Sequence, residues 1–132
     1  MVAADRPRVF IVDDEKPIGR VIWHGLSHRF EVVYESNPED ALERLCRDDE
    51  LFDVIFLDII MPELNGIILF EELAERAPAR CDRIVFITGG AQIPAVYDFI
   101  QKHHTIEKPF SLEELEATAE TYADSPLPRG PR

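Results

Sequence analysis

Three carboxylates, one hydroxyl and one ammonium group follow the short apolar runs of this sequence. The residues that carry them are Asp13, Asp14, Asp58, Thr88 and Lys108. Three carboxylates that pack together repel one another and raise one another's pKa values unless a cation lies among them. Mg²⁺ prefers oxygen ligands and commonly takes one or two protein carboxylates together with a phosphate oxygen. These residue types therefore predict a Mg²⁺ site that supports phosphate chemistry.

Each of these residues has a chemical role in such a site. Asp14 and Asp58 could supply metal-binding carboxylates, and Asp13 could hold a metal-bound water. The remaining carboxylate oxygen of Asp58 would then be free to attack an electrophilic phosphorus atom. Lys108 would neutralise charge on the phosphoryl oxygens, and Thr88 would donate a hydrogen bond to one of them. The sequence thus contains a candidate for every part of a phosphoryl-transfer site.

Short strands that alternate with helices must position these side chains. Three runs rich in β-branched or aromatic residues predict strands buried on both faces, at residues 9–12, 54–57 and 84–87. Residues 30–34 and 105–107 mix polar residues into β-favouring sequence and predict two edge strands. Apolar residues at helical spacing predict five helices. The pattern indicates a doubly wound α/β domain with a five-stranded parallel sheet, in which ligands bind outside the carboxyl ends of the strands.

Capping residues and prolines indicate where helices begin and where the domain ends. Asn37, which a proline follows, is a predicted helix N-cap, and Ser111 lies three residues before a glutamate in a capping-box spacing. We expect one domain over residues 8–123, after a leader at residues 1–7 and before a proline-rich flexible tail at residues 124–132.

The composition disfavours several classes of partner. With 26 acidic and 14 basic residues the chain carries a net charge of −12, which repels nucleic acid and anionic membrane surfaces. No apolar run approaches the roughly 18 residues that span a bilayer, and no signal peptide is evident. Cys46 and Cys81 lack metal-ligand spacing and are expected to be buried or idle thiols. We therefore expect a cytoplasmic protein that neither binds nucleic acid directly nor inserts into a membrane.

Four motifs, in order, make the chain resemble the receiver domain of two-component response regulators, including the receivers of hybrid sensor kinases. They are Val-Asp-Asp-Glu at 12–15, Leu-Asp-Ile-Ile-Met-Pro-Glu-Leu-Asn-Gly at 57–66, Ile-Thr-Gly-Gly at 87–90 and Glu-Lys-Pro-Phe at 107–110. The resemblance covers about residues 8–122. It implies a flavodoxin-like fold with strand order 2-1-3-4-5.

The resemblance also implies a signalling function. Asp58 would take a phosphoryl group from a phosphohistidine on a sensor histidine kinase or histidine phosphotransfer protein. The backbone carbonyl of Ile60 would join Asp13, Asp14 and Asp58 around Mg²⁺, for which Mn²⁺ can substitute. Phosphorylation would switch a partner-binding surface, and dimerisation is left open. The domain would be a switch that promotes its own phosphorylation and dephosphorylation rather than a conventional enzyme.

Near the last motif the sequence departs from the family pattern. The resemblance implies a cis peptide bond before Pro109 that aims Lys108 at the phosphate. Many receivers carry Tyr or Phe three residues before this lysine, but this chain has Thr105. His103 and His104 are alternatives for the aromatic role, although solvated loop histidines are the favoured interpretation.

Simpler interpretations and other functions compete with this hypothesis. Asp13 and Asp14 could cap the first helix, Thr88 could cap the helix that follows it, and Trp23 is expected to pack in the core. A Mg²⁺-dependent phosphate-ester hydrolase would place a second acid where this chain has Ile60. A receiver that binds its partner without phosphorylation is disfavoured, because every site residue is present.

Overall fold

Five short strands alternate with helices in the computed structural model of the chain, which describes residues 6–47, 49–61, 64–89 and 93–125. The strands are β1 (Arg8–Val12), β2 (Glu31–Glu35), β3 (Val54–Asp58), β4 (Ile84–Thr88) and β5 (Thr105–Glu107). The helices are α1 (Lys16–Leu26), α2 (Pro38–Cys46), α3 (Gly66–Arg76), α4 (Pro94–Ile100) and α5 (Leu112–Ala123), with a 3₁₀ helix at Pro78–Arg83. Most of the predicted leader and tail, residues 62–63 of the second motif and Gly90 of the third lie outside the described residues.

All five strands are parallel and lie in the order β2-β1-β3-β4-β5. This arrangement and the five α-helices confirm the predicted doubly wound, flavodoxin-like fold, and the 3₁₀ helix is an addition to it. The register places Val12 opposite Leu57, and Asp58 opposite Ile87. The carboxyl ends of β1, β3 and β4 therefore meet at one edge of the sheet.

Alternate residues of the strands pack into two separate apolar layers. Phe10 and Leu57 face a layer that includes residues of α2, α3 and α4. Ile11 and Phe56 face the opposite layer, which includes residues of α1 and α5. Every residue of β3 and β4 is buried, as expected for central strands of a parallel sheet. Asp58 and Thr88 thus lie at the ends of two strands that are buried along their whole length.

Polar caps begin three of the helices. Asn37 and Ser111 accept hydrogen bonds from backbone N–H groups in the first turns of α2 and α5, which confirms both predictions. Asn65 caps α3 in the same way. The simpler interpretation of Asp13 and Asp14 as caps of α1 is wrong, because Glu15 occupies the N-cap position. Thr88 does not cap α4 either, since that helix begins after Ile93.

Trp23 differs from its expected place in the core. Its side chain is 41% exposed and its indole N–H donates to the carbonyl oxygen of Val32 on the edge strand β2. Cys46 and Cys81 are half-buried free thiols, as expected. Within the part of the chain that the structure describes, no helix has the length and apolar character needed to cross a membrane.

Candidate functional site

Three carboxylates meet at the carboxyl edge of the sheet. Asp58 ends β3, and Asp13 and Asp14 follow β1, the strand beside it. One carboxylate oxygen of each residue lies within 4.8 Å of the others. Asp13 is 0% exposed and Asp58 is 1% exposed, whereas Asp14 is partly exposed. The structure therefore brings the predicted acidic residues together in a cluster that is buried on one side and accessible on the other.

Lys108 provides the positive charge of this cluster. Its Nζ atom lies 3.4 Å from Asp58 Oδ2, 3.7 Å from Asp13 Oδ2 and 3.1 Å from Glu15 Oε1. The peptide bond between Lys108 and Pro109 is cis, as the resemblance implied. Sequence reasoning did not assign a role to Glu15, although it is the fourth residue of the first motif. Its exposed carboxylate shares the ammonium group with the two buried aspartates.

The electrostatics of the cluster favour the protonated acids. Burial, followed by the charge of Asp13, raises the pKa of Asp58 to about 7, although Lys108 acts in the opposite direction. Burial also raises the pKa of Asp13. Burial lowers the pKa of Lys108, but the carboxylates of Asp58, Asp13 and Glu15 outweigh this effect and raise it. One ammonium group does not balance the carboxylates, so a further cation would stabilise their ionised forms.

The donor set fits a hard divalent cation. Asp13 Oδ2 is buried and accepts no hydrogen bond from any residue that the structure describes. A buried carboxylate oxygen without a hydrogen bond is costly even beside the ammonium group of Lys108, and a metal ion would reduce that cost. The backbone N–H of Ile60 donates to Asp58 Oδ1 at 3.3 Å, so the chain after the strand folds back toward the Asp58 carboxylate. Asp13, Asp14 and Asp58 could hold Mg²⁺. The carbonyl of Ile60 stays a predicted ligand.

Thr88 and Lys108 are joined through the backbone. The carbonyl oxygen of Thr88 accepts a hydrogen bond of 2.8 Å from the N–H of Lys108. Thr88 is completely buried at the end of β4, next to the strand that carries Asp58. The predicted hydroxyl and ammonium groups therefore belong to one edge of the sheet, as expected.

Gly66 lets the start of α3 approach the backbone of Asp58. A Cβ atom on Gly66 would lie 2.4 Å from the carbonyl oxygen of Asp58 and 2.9 Å from the Cα of Ile59. The N–H of Gly66 donates to the carbonyl of Ile59 at 2.8 Å. The last residue of the second motif thus closes the loop that follows β3.

The two histidines before β5 are not simply solvated. His103 stacks on Phe99 with a centroid distance of 4.2 Å and makes edge contacts with Phe70 and Phe86. Exposed His104 places Nδ1 at 2.9 Å from Tyr122 Oη. The favoured interpretation is therefore wrong for His103, because an aromatic cluster from α3, β4 and α4 half-buries its ring.

The chain matches the response regulator receiver domain family over residues 9–120. It is 31% identical over 111 residues to the response regulator receiver protein CpdR of Brucella abortus, covering 82% of this chain and 89% of that protein. It is 32% identical over 123 residues to the probable transcriptional regulator ycf27 of Pyropia yezoensis, covering 85% of this chain but 45% of that protein. The chain thus spans about half the length of some of the curated relatives that it matches.

Solved structures share the fold. The receiver domain of the Francisella response regulator 1452 superposes with a TM-score of 0.76 at 21% identity, covering 92% of this chain and 100% of that one. A CheY-like receiver domain protein from Methanospirillum hungatei gives a TM-score of 0.73 at 20% identity, with 92% and 100% covered. The fold and the acidic cluster define a doubly wound signalling domain. The chain belongs to the response regulator receiver domain family of two-component signalling.

Proposed function

We propose that Asp58 is the phosphoacceptor of this receiver and takes its phosphoryl group from a phosphohistidine on a sensor histidine kinase or histidine phosphotransfer protein. Mg²⁺, or Mn²⁺ in its place, would be held by Asp13, Asp14, Asp58 and the carbonyl of Ile60. The observation that carries the proposal is the position of Asp58. Its buried carboxylate lies at the end of the central strand β3, inside an acidic cluster and 3.4 Å from the ammonium group of Lys108.

The residues of the site divide the chemistry between them. An ionised oxygen of Asp58 forms a P–O bond while the P–N bond to the donor imidazole breaks, and the electron pair of that bond leaves with the imidazole nitrogen. Lys108 pairs with a phosphoryl oxygen, and the hydroxyl of Thr88 donates to another. When bound, Mg²⁺ supplies positive charge that favours ionised Asp58 and stabilises the phosphoryl oxygens. The raised pKa of Asp58 makes this cation important near neutral pH.

An apolar groove beside the site supports a protein as the phosphoryl donor. The groove has a volume of about 560 Å³ and is lined by Pro17, Ile18, Val21, Ile22, Lys108, Pro109 and Phe110. Val21 is 58% exposed and forms a contiguous apolar surface with the other residues that line the groove. Because Lys108 contributes to both groove and site, a donor segment lying in this groove would bring its histidine close to Asp58.

The proposal includes a surface that responds to phosphorylation. A phosphoryl group adds negative charge and acceptor oxygens beside Thr88 and Lys108. Thr88 lies before α4 in the chain, and Lys108 lies between β5 and α5. α4 has seven residues, of which Val96 and Ile100 are buried, and β5 has three residues at the edge of the sheet. Few buried contacts hold such short elements, so their positions can change at a small cost. This surface would bind the downstream partner.

Intact-protein mass spectrometry tests the acceptor. The full chain is incubated with Mg²⁺ and either acetyl phosphate or phosphorylated imidazole, and wild type is compared with Asp58→Asn. The proposal predicts a gain of about 80 Da, the mass of one phosphoryl group on this nucleophile, in wild type alone. Hydroxylamine should remove the adduct, because it cleaves acyl phosphates.

Two results would contradict the proposal. An adduct of equal yield in Asp58→Asn would place the acceptor elsewhere. A folded wild-type protein that binds Mg²⁺ but gains no mass from either donor would favour a receiver that binds its partner without phosphorylation.

A further inference from the structure

Tyr34 links the edge strand β2 to the acidic loop after β1. Its phenolic O–H donates a hydrogen bond of 2.7 Å to the backbone carbonyl of Asp13. Tyr34 is half-buried and lies opposite Ile11 in the register of β1 and β2. Among the described residues, no carboxylate oxygen of the acidic cluster is hydrogen-bonded to this hydroxyl group, and it has no role in the proposed phosphoryl transfer.

Gly19 on α1 provides the space for this ring. A Cβ atom on Gly19 would lie 2.2 Å from Cε1 and Cζ of Tyr34 and 2.7 Å from its hydroxyl oxygen. Glycine inside a helix is less stable than alanine, because its backbone loses more conformational freedom on folding. Any larger residue at this position would push the phenol away from Asp13. The glycine and the tyrosine therefore form a matched pair between α1 and β2.

Three hydrogen bonds hold Asp13 from different sides. Its N–H donates to the carbonyl of Glu35 at 3.4 Å, its carbonyl accepts from Tyr34, and its Oδ1 accepts from the N–H of Glu15 at 2.9 Å. Oδ2 is left without a hydrogen bond from the described residues, 3.7 Å from Lys108 Nζ. These three hydrogen bonds, including the one from Tyr34, leave Oδ2 of Asp13 available to a cation.

The carbonyl that Tyr34 binds belongs to the peptide group between Asp13 and Asp14. Because a peptide group is planar, fixing its carbonyl oxygen also fixes the direction of the next N–H and Cα. We infer that Tyr34 is a positioning residue that orients the Asp13–Asp14 peptide group so that both carboxylates converge on the Mg²⁺ site. This inference rests on the proposed Mg²⁺ site. Tyr34 acts through the backbone and contacts neither the metal nor the phosphoryl group.

Tyr34→Phe tests the inference, because it keeps the ring and removes only the hydroxyl. Mg²⁺ affinity is measured by isothermal titration calorimetry on the full chain, and the expected result is a dissociation constant about tenfold higher than that of wild type. The ¹⁵N-¹H resonance of the Asp14 amide should shift in the metal-free variant, since that N–H belongs to the same peptide group. Tyr122→Phe is the matched control. It removes a hydroxyl that is bonded to His104, just before β5, and should change neither readout.

A double-mutant cycle tests the matched pair. Gly19→Ala should weaken Mg²⁺ binding by displacing the Tyr34 ring, whereas the same change in a Tyr34→Ala background, where the ring is gone, should have little further effect. Thermal melting with EDTA shows whether each variant is folded.

The outcomes separate this inference from the proposed function. If wild type binds Mg²⁺ and is phosphorylated while folded Tyr34→Phe binds Mg²⁺ equally well, the positioning role is overturned and the function stands. If wild type binds no Mg²⁺, both fail. A weaker Mg²⁺ affinity in Tyr34→Phe, with Tyr122→Phe unchanged, supports the inference.

Discussion

The Nζ atom of Lys108 lies 3.4 Å from Oδ2 of Asp58. Asp58 is 1% exposed, and the carboxylate of Asp13 lies in the same cluster, so this single ammonium group faces an excess of buried negative charge. The contact joins the end of β3 to the loop after β5, which are 50 residues apart in the chain. Because one fixed cation faces several acids, we expect the site to respond to metal, phosphate and pH.

Removing the charge of Lys108 should change metal binding and phosphorylation in opposite directions. In Lys108→Met, Mg²⁺ affinity should rise, because a competing positive charge has been removed. The rate of phosphorylation by acetyl phosphate should fall by about 10²-fold, since the phosphoryl oxygens lose a charged partner. Calorimetry and time-resolved mass spectrometry measure the two effects. Lys102→Met, at an exposed lysine, is the control, and a parallel fall of both quantities in Lys108→Met would contradict this account.

The raised pKa of Asp58 should make the metal-free protein less stable as the pH rises. An acid whose pKa increases on folding, here from 3.8 to about 7, binds its proton more tightly in the folded chain. The free energy of unfolding should therefore fall between about pH 4 and pH 7. Asp58→Asn should remove most of this slope and stabilise the metal-free protein at pH 7.5 by about 1–3 kcal/mol.

Urea unfolding in EDTA across this pH range measures the effect of Asp58. Saturating Mg²⁺ should reduce the difference between wild type and Asp58→Asn, because the cation compensates the ionised carboxylate. Equal slopes for the two proteins in EDTA would show that Asp58 is not the titrating group.

Gly66→Ala should destabilise the fold more than Gly25→Ala, which changes a glycine inside α1. The new Cβ would meet backbone atoms of Asp58 and Ile59, which cannot move without disturbing β3, so we expect a loss of about 1–3 kcal/mol. At Gly25 the new Cβ would meet Leu112 Cδ1 at 2.6 Å, which is the far end of a flexible side chain. Urea unfolding should show a small change for Gly25→Ala. Equal losses for both variants would contradict the close approach of α3 to β3.

His103 should weaken the fold as the pH falls. Burial, followed by the charge of Lys102, lowers the pKa of His103 below its ordinary 6.5. The unfolded chain therefore binds a proton more readily, and the stability that neutral His103 contributes is lost as the pH falls from about 6.5 through the folded-state pKa. His103→Phe, which keeps an aromatic ring beside Phe99, should lose less stability between pH 7 and pH 5 than wild type. An equal loss of stability between pH 7 and pH 5 in His103→Phe and in wild type would contradict this account.

Local patterns in the sequence were sufficient to predict the sheet and most of the site. Continuous apolar runs identify strands that are buried on both faces, and polar residues at their carboxyl ends must meet at one edge of a parallel sheet. Asp13, Asp58 and Thr88 follow from this rule alone, because each ends or follows such a run. Lys108 follows the short fifth strand in the same way. The motifs then supplied the strand order, which alternation of elements by itself leaves open.

Tertiary packing decided the contacts that refine this site. Tyr34 is 21 residues from Asp13 in the chain, and its fit against Gly19 depends on how α1 lies across β2. His103 lies between α4 and β5, where the sequence favours a solvated loop. In the structure, aromatic rings from three other elements pack against it. Trp23 has helical spacing suited to a core position, yet it is 41% exposed and lies over the half-buried edge strand β2. Periodicity reports which face of one element is apolar, whereas these contacts depend on the distance and angle between elements, which only the folded chain determines.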